Sequence, residues 1–257
     1  MLQIDVDSAE RIATLTLDRP DKRNALSLEL MDRLTCALEE IGRRGDAAVV
    51  ILAANGSVFC SGHDFADMVE RNLDGMRRLL ETCRDLMLTM QRVPQPVVAR
   101  VHGLATAAGC QLVAAADLAV ATTDAGFVAP GGRGGWFCHT PMVAIARTVG
   151  RKRALELAFT GDPIDAQTAL AWGLVNRVVS RDLLDQETER LALAASRGSR
   201  ASKALGKQVL YETLELDIEA AYARAIEAMA SSAFTDDGRE AMRSFLEKRP
   251  GVYPPRR

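Results

Sequence analysis

The stretch GLATAAGCQLVAAAD (residues 103–117) is built almost wholly of small or apolar side chains around one amide, Gln111. Its two glycines and six alanines let backbone come close to backbone, and Gly103 and Gly109 permit conformations that other residues resist. The stretch follows a buried-strand pattern, PVVARV (96–101), and runs on into helical spacing. A strand, a small-residue run and a helix in that order turn free N–H groups toward a ligand. Gln111 then falls one turn into the helix, beside whatever those N–H groups hold. Tight helix–strand packing with no ligand is the alternative.

Working outward, ERIATLTLD alternates apolar and polar residues and ends at the turn RPDKRNA. Ser27 suits the N-cap of a helix whose Leu30, Leu34, Cys36 and Leu38 mark one face. AAVVILAA (47–54) reads as a strand buried on both sides, and DLAVAT (117–122) as another. NGSVFCSGHD is a loop, followed by enough sequence for one or two helices up to Arg92. Strands separated by helical segments indicate parallel βαβ units. Asp165 caps and Gly173 stops a helix, and 182–197, 200–212, 217–232 and 235–247 all carry helical period. The tail GVYPPRR cannot continue a helix. The expected organisation is an α/β core over 1–195 and a helical segment over 196–257 that packs against a neighbouring subunit.

With 48% apolar and 26% charged residues the composition is that of an ordinary globular chain. A formal net charge of −2 argues against a nucleic-acid partner or an anionic membrane. Five cysteines without a CxxC pair point to reduced thiols in a cytoplasmic setting, not to zinc or a disulfide framework. No apolar run reaches the roughly 18 residues of a membrane span, and no signal peptide is visible.

Three motifs line up in order: RPDKRNAL (19–26), VFCSGHDF (58–65) and the opening stretch. With FLEKRP (245–250) they resemble the enoyl-CoA hydratase/isomerase (crotonase) superfamily over nearly the whole chain. The resemblance implies a crotonase-like α/β fold, a ββα spiral core with a helical C-terminal segment. It also implies a homotrimer or dimer of trimers, an acyl-CoA thioester as partner, and coenzyme A as part of the substrate with no resident cofactor or metal. It places the thioester oxygen between the backbone N–H groups of His63 and Ala108, an oxyanion hole. Family hydratases activate water with two glutamates, and their positions are Gln111 and Gly131 here, the latter in FVAPG. Glutamine orients water but does not exchange a proton, and glycine offers nothing, so standard hydration is expected to be weak or absent. The pairing of AAGCQL with PGGRGGWFCHTP resembles one subgroup within that family, and this resemblance supplies no reaction.

Other groups then compete for the proton-transfer role. His139 stands where some relatives carry a working aspartate, and a histidine titrates near neutrality. A surface or packed histidine is the alternative. Cys138 is a nucleophile or buried packing, and Trp136 shapes an acyl pocket or packs the core. Asp64 faces the coenzyme or braces its loop, with Ser61 and the His63 side chain beside it. For the coenzyme's phosphates the candidates are Lys22, Arg23 and Lys248, against plain solvated charge. Two readings follow: an acyl-CoA enzyme that works without two glutamates, or a non-catalytic acyl-CoA-binding or regulatory protein.

Overall fold

A computed structural model describes residues 1–253; the last four residues of the tail lie outside the described residues. In chain order the elements open with β1 (Leu2–Asp7), β2 (Ile12–Leu17), α1 (Leu28–Arg44), β3 (Val49–Ala54) and β4 (Val58–Cys60). Next come α2 (Leu73–Arg92), β5 (Val97–Val101), β6 (Leu104–Thr106), α3 (Ala108–Ala115), β7 (Leu118–Thr122) and β8 (Gly126–Val128). Then follow α4 (His139–Val149), α5 (Arg151–Thr160), β9 (Ile164–Asp165), α6 (Ala166–Trp172), β10 (Arg177–Val179) and α7 (Leu184–Ser196). The chain closes with α8 (Arg200–Thr213), α9 (Ile218–Ser232) and α10 (Asp236–Leu246).

Two sheets result. The larger has the order β1-β2-β3-β5-β7-β10, parallel except for the β1/β2 pair. Every residue of β3 is buried, because helices cover both faces of the sheet. Alternate side chains divide the work: Val49, Ile51 and Ala53 join Leu184, Leu191 and Ala192 of α7, while Val50, Leu52 and Ala54 enter the main core. That main core also takes Leu30, Met31, Leu34, Leu38 and Ile41 of α1. Cys36 is exposed, off the face assigned to it from spacing. The Ser27 hydroxyl caps α1 by accepting from the Leu30 N–H, and Asp165 caps α6 with Gly173 ending it in the left-handed region.

The smaller sheet has the order β4-β6-β8-β9. Periodicity did not reveal it, since three of its strands have three residues and one has two. Its β4, β6 and β8 are parallel, so the chain leaves their C-terminal ends side by side. This places the loop after Cys60, the start of α3 and the loop after Val128 together, the usual ligand edge of a parallel sheet.

The helical segment after residue 199 is joined to the sheet by a half-buried network. Lys207 Nζ donates to Asp117 Oδ2 at 2.6 Å and to the Met90 and Gln95 carbonyls at 2.7 and 2.9 Å. Tyr211 donates to the other Asp117 oxygen at 2.9 Å, and the Val97 N–H to Oδ2 at 2.7 Å. Elsewhere this segment is apolar and open: Leu210, Leu214, Ile218, Tyr222, Ile226 and Phe245 are all exposed.

Candidate active site

The first motif is held against the second by one buried side chain. Asn24 is wholly buried in the left-handed region (φ 55°), where its short amide is tolerated. Its Nδ2 donates to the Asn55 and Val58 carbonyls at 2.8 and 2.9 Å, and its Oδ1 accepts from the Arg19 N–H at 2.9 Å. Two residues on, Leu26 pairs across to the second motif. Its N–H donates to the Gly62 carbonyl at 2.8 Å and its carbonyl accepts from the Asp64 N–H at 3.1 Å. Extended backbone alternates its polar groups, so pairing through 62 and 64 turns the N–H of His63 to the opposite side. That N–H has no acceptor among the described residues. The Ser61 N–H donates to the Arg23 carbonyl at 3.0 Å, which draws Lys22 and Arg23, both exposed, to the same rim.

The opposite wall is the N-terminus of α3. A Cβ on Gly109 would lie 2.2 Å from the Cys60 carbonyl oxygen, and one on Gly103 would lie 2.6 Å from that of Ser57. The glycines of the opening stretch therefore serve close approach rather than unusual dihedrals. The dihedral cost falls on Ala107, the residue before α3, at φ 50° and ψ −113°. An L-residue held there carries strain of about 1–3 kcal/mol, and such strain clusters at functional sites. A Cβ on Gly62 would stand 3.5 Å from the Ala108 nitrogen, so the two loops touch. The Ala108 N–H, first in its helix, is likewise without an acceptor among the described residues. Unpaired N–H groups at residues 63 and 108 thus lie on two segments in contact, one of them at a helix N-terminus whose dipole favours negative charge.

Gln111 lies in the first turn of α3, buried, its Oε1 accepting from the Cys83 thiol of α2 at 3.8 Å. Gly131 occupies a closed position. A Cβ there would meet the Trp136 carbonyl oxygen at 2.1 Å, Cys138 Sγ at 2.7 Å and the Cys138 nitrogen at 2.9 Å. The loop folds back on this glycine, with the Trp136 N–H donating to its carbonyl at 2.8 Å. Trp136 is half-exposed and faces Phe65 edge-on, ring centres 6.2 Å apart, so the glycine-rich loop and the His63 loop share one aromatic contact. His139 opens α4, exposed and tilted on Phe137 at 5.0 Å. Cys138 is buried, and burial raises its thiol pKa.

Electrostatics sharpen three assignments. Arg19 donates to the Asp64 carboxylate at 3.0 Å and to the Ala25 carbonyl at 2.8 Å, while the other Asp64 oxygen accepts from the Ala66 N–H. Asp64 in this structure braces the loop that carries His63. Both ring nitrogens of His63 are buried without a partner, and burial lowers its pKa to about 4, opposed in part by the nearby Leu26 carbonyl. Lys248 is exposed beyond the end of α10, a helix that packs on α8, and no hydrogen bond or ion pair joins it to these loops among the described residues. No cluster of three or more His, Cys, Asp or Glu able to hold a metal ion occurs among the described residues.

Residues 19–26, 61–64, 108–111 and 131–136 are thus brought together, while His139 and Lys248 stand outside their hydrogen bonds. Sequence reasoning missed Cys83, Phe65 and Ala107. Cys83 shows only as one more apolar position on the buried face of α2, and nothing in an alanine announces a strained dihedral. Over residues 7–255 the chain matches the family described as enoyl-CoA hydratase/isomerase. It is 42% identical over 243 residues to the mouse (Mus musculus) protein named enoyl-CoA hydratase domain-containing protein 3, mitochondrial, covering 94% of this chain and 81% of that one. The crystal structure of human enoyl coenzyme A hydratase domain-containing protein 3 superposes with a TM-score of 0.93 at 41% identity, covering 98% of this chain and 99% of that one. An enoyl-CoA hydratase structure from Mycobacterium smegmatis gives a TM-score of 0.95 at 45% identity, covering 98% of each chain. The chain belongs to the enoyl-CoA hydratase/isomerase family, and its architecture is the crotonase fold.

Proposed function

We propose that the protein binds acyl-CoA thioesters with the thioester oxygen held between the N–H groups of His63 and Ala108. The observation that carries this reading is that two segments in contact at Gly62 each hold an N–H without an acceptor among the described residues, one at a helix N-terminus. Preorganised donors of this kind stabilise the charge that an enolate-like oxygen develops. Lys22 and Arg23 on the adjoining rim, with Ser61 beside them, suit the coenzyme's phosphates, and Lys248 would join them from a neighbouring subunit. The exposed apolar residues of α8, α9 and α10 suit a homotrimer or dimer of trimers. No described helix is long and apolar enough to cross a membrane, and we assign the five unpaired thiols to a reducing, cytoplasmic compartment.

Ordinary hydration of an enoyl thioester is not the reaction we assign. It needs groups that hold water and exchange protons, which contribute about 10²–10⁴-fold each. Gln111 and Gly131 stand at the two positions and supply no proton, and the space at Gly131 has no room for a side chain. We assign an acyl-CoA reaction that uses the polarised carbonyl without that pair, such as an isomerisation or a thioester or C–C bond cleavage. His139, which follows Cys138 where the loop closes on Gly131, is the group we assign to proton transfer. The second reading, a non-catalytic acyl-CoA-binding or regulatory protein, is favoured by the exposure of His139 and the absence of a carboxylate bonded to Gln111 among the described residues. Calorimetry against short and long acyl-CoA thioesters tests the shared part: no measurable heat with any of them sinks both readings. Turnover of a bound thioester, lost in His139→Ala, then separates the enzyme from the binder.

A further inference from the structure

The N–H groups of His63 and Ala108 each belong to a peptide whose carbonyl is anchored on the far side. The Gly62 carbonyl accepts from the Leu26 N–H at 2.8 Å, and the Ala107 carbonyl from the Gln111 N–H at 2.9 Å. Both peptides are trans, and a trans peptide points its carbonyl and its N–H in opposite directions. Each donor is therefore aimed by the residue before it. Both of those residues have positive φ, 90° at Gly62 and 50° at Ala107. Glycine is at ease there, and alanine is not. With ψ at −113°, Ala107 also falls outside the small left-handed well that single residues visit.

Ala107 is held in this conformation from both sides. Its N–H donates to the Val128 carbonyl of β8 at 2.8 Å, while its carbonyl begins the hydrogen bonding of α3. Its half-buried methyl packs on the main core and rests against Gly62: a Cβ on that glycine would meet it at 3.2 Å, with the Ala108 nitrogen at 3.5 Å. One methyl group thus touches the supports of both donors. A strained residue persists only where its surroundings over-determine it, and such strain accompanies pre-organisation. A glycine at this position would leave the same bonds in place but let the peptide rotate. We propose that Ala107 is a positioning residue for the thioester oxygen, its methyl fixing the direction of the Ala108 N–H and bracing the loop that carries the His63 N–H. The proposal rests on the reading of His63 and Ala108 given above, and adds what holds the pair before a ligand arrives.

The test is Ala107→Gly in the full chain, by calorimetry against butanoyl-CoA and against S-butyl-CoA, the thioether that lacks the carbonyl oxygen. Wild type should prefer the thioester. In the variant that preference should fall about two- to fivefold, which is the worth of the freedom a glycine restores. Binding of the thioether should not change. The thermal midpoint, read at one scan rate and protein concentration, should rise by about 2–4 °C, as relieved strain outweighs the glycine's chain entropy. A methyl that only packed would move both ligands together and lower the midpoint. An unchanged preference, an equal weakening of both ligands, or a midpoint that does not rise overturns the proposal while the thioester site stands. A wild type that binds the two ligands equally, or binds neither, removes the reading of the site as well.

Discussion

Mild acid should weaken this protein through His63. Its ring nitrogens are buried without partners, and its pKa falls from the ordinary 6.5 to about 4. The folded chain keeps the ring neutral while the unfolded chain takes up a proton. The stability tied to this histidine is therefore complete above pH 6.5 and is lost as pH falls toward 4. The whole shift corresponds to about 3 kcal/mol, of which about 2 kcal/mol disappears between pH 7 and pH 5. Urea unfolding at those two pH values, followed by circular dichroism at fixed protein concentration, measures the loss. His102 and the carboxylates whose pKa is lowered also titrate with folding, so the comparison is with His63→Phe, which keeps a buried ring and removes the titration. The variant should lose about 2 kcal/mol less than wild type over the same range. Identical pH dependence in the two proteins would show that the His63 ring finds a partner or solvent, and would refute the argument.

Four further outcomes follow from the packing. Gly131→Ala should destabilise by about 1–3 kcal/mol, since the new Cβ meets the Trp136 carbonyl, and Gln111→Glu/Gly131→Glu should gain no crotonyl-CoA hydration by enoyl absorbance; a fast double variant would contradict the closed loop. Lys207→Met should cost about 1.5–3 kcal/mol in chemical unfolding, because it leaves the half-buried Asp117 carboxylate to the Tyr211 and Val97 donors alone, and adding Asp117→Leu should recover part of that. Light scattering at micromolar concentration should give a trimer or a multiple of it, and a uniform monomer would leave the exposed faces of α8 to α10 unexplained.

Much of this was legible in the sequence because the helices carry long periods and plain caps. Ser27, Asp165 and Gly173 mark ends that the structure reproduces. The smaller sheet was not legible, because Leu104–Thr106 lies just after Gly103 and is too short to show an alternation of two. Within the site, the family resemblance that the motifs carry pointed to His63 and Ala108, but not to the Leu26 pairing that frees the His63 N–H. That pairing is a contact between residues far apart in sequence, and no local pattern encodes it. Gly131 shows the same limit from the other side. The family resemblance marked it as the place of a missing carboxylate, whereas only the fold shows that a carbonyl oxygen occupies the space where a side chain would begin.

The Leu26 bridge also bears on how the chain acquires its site. The donors and their supports come from residues 19–26, 61–64 and 106–111, joined across tens of positions by backbone pairs rather than by any local element. Contacts of such separation form only after the intervening loops have closed, and they slow folding accordingly. During synthesis the first motif leaves the ribosome long before the third, so an early fragment lacks the residues that complete these contacts. The close packing of α3 on the Cys60 carbonyl is itself one of these long-range contacts, so the site exists only in the folded whole.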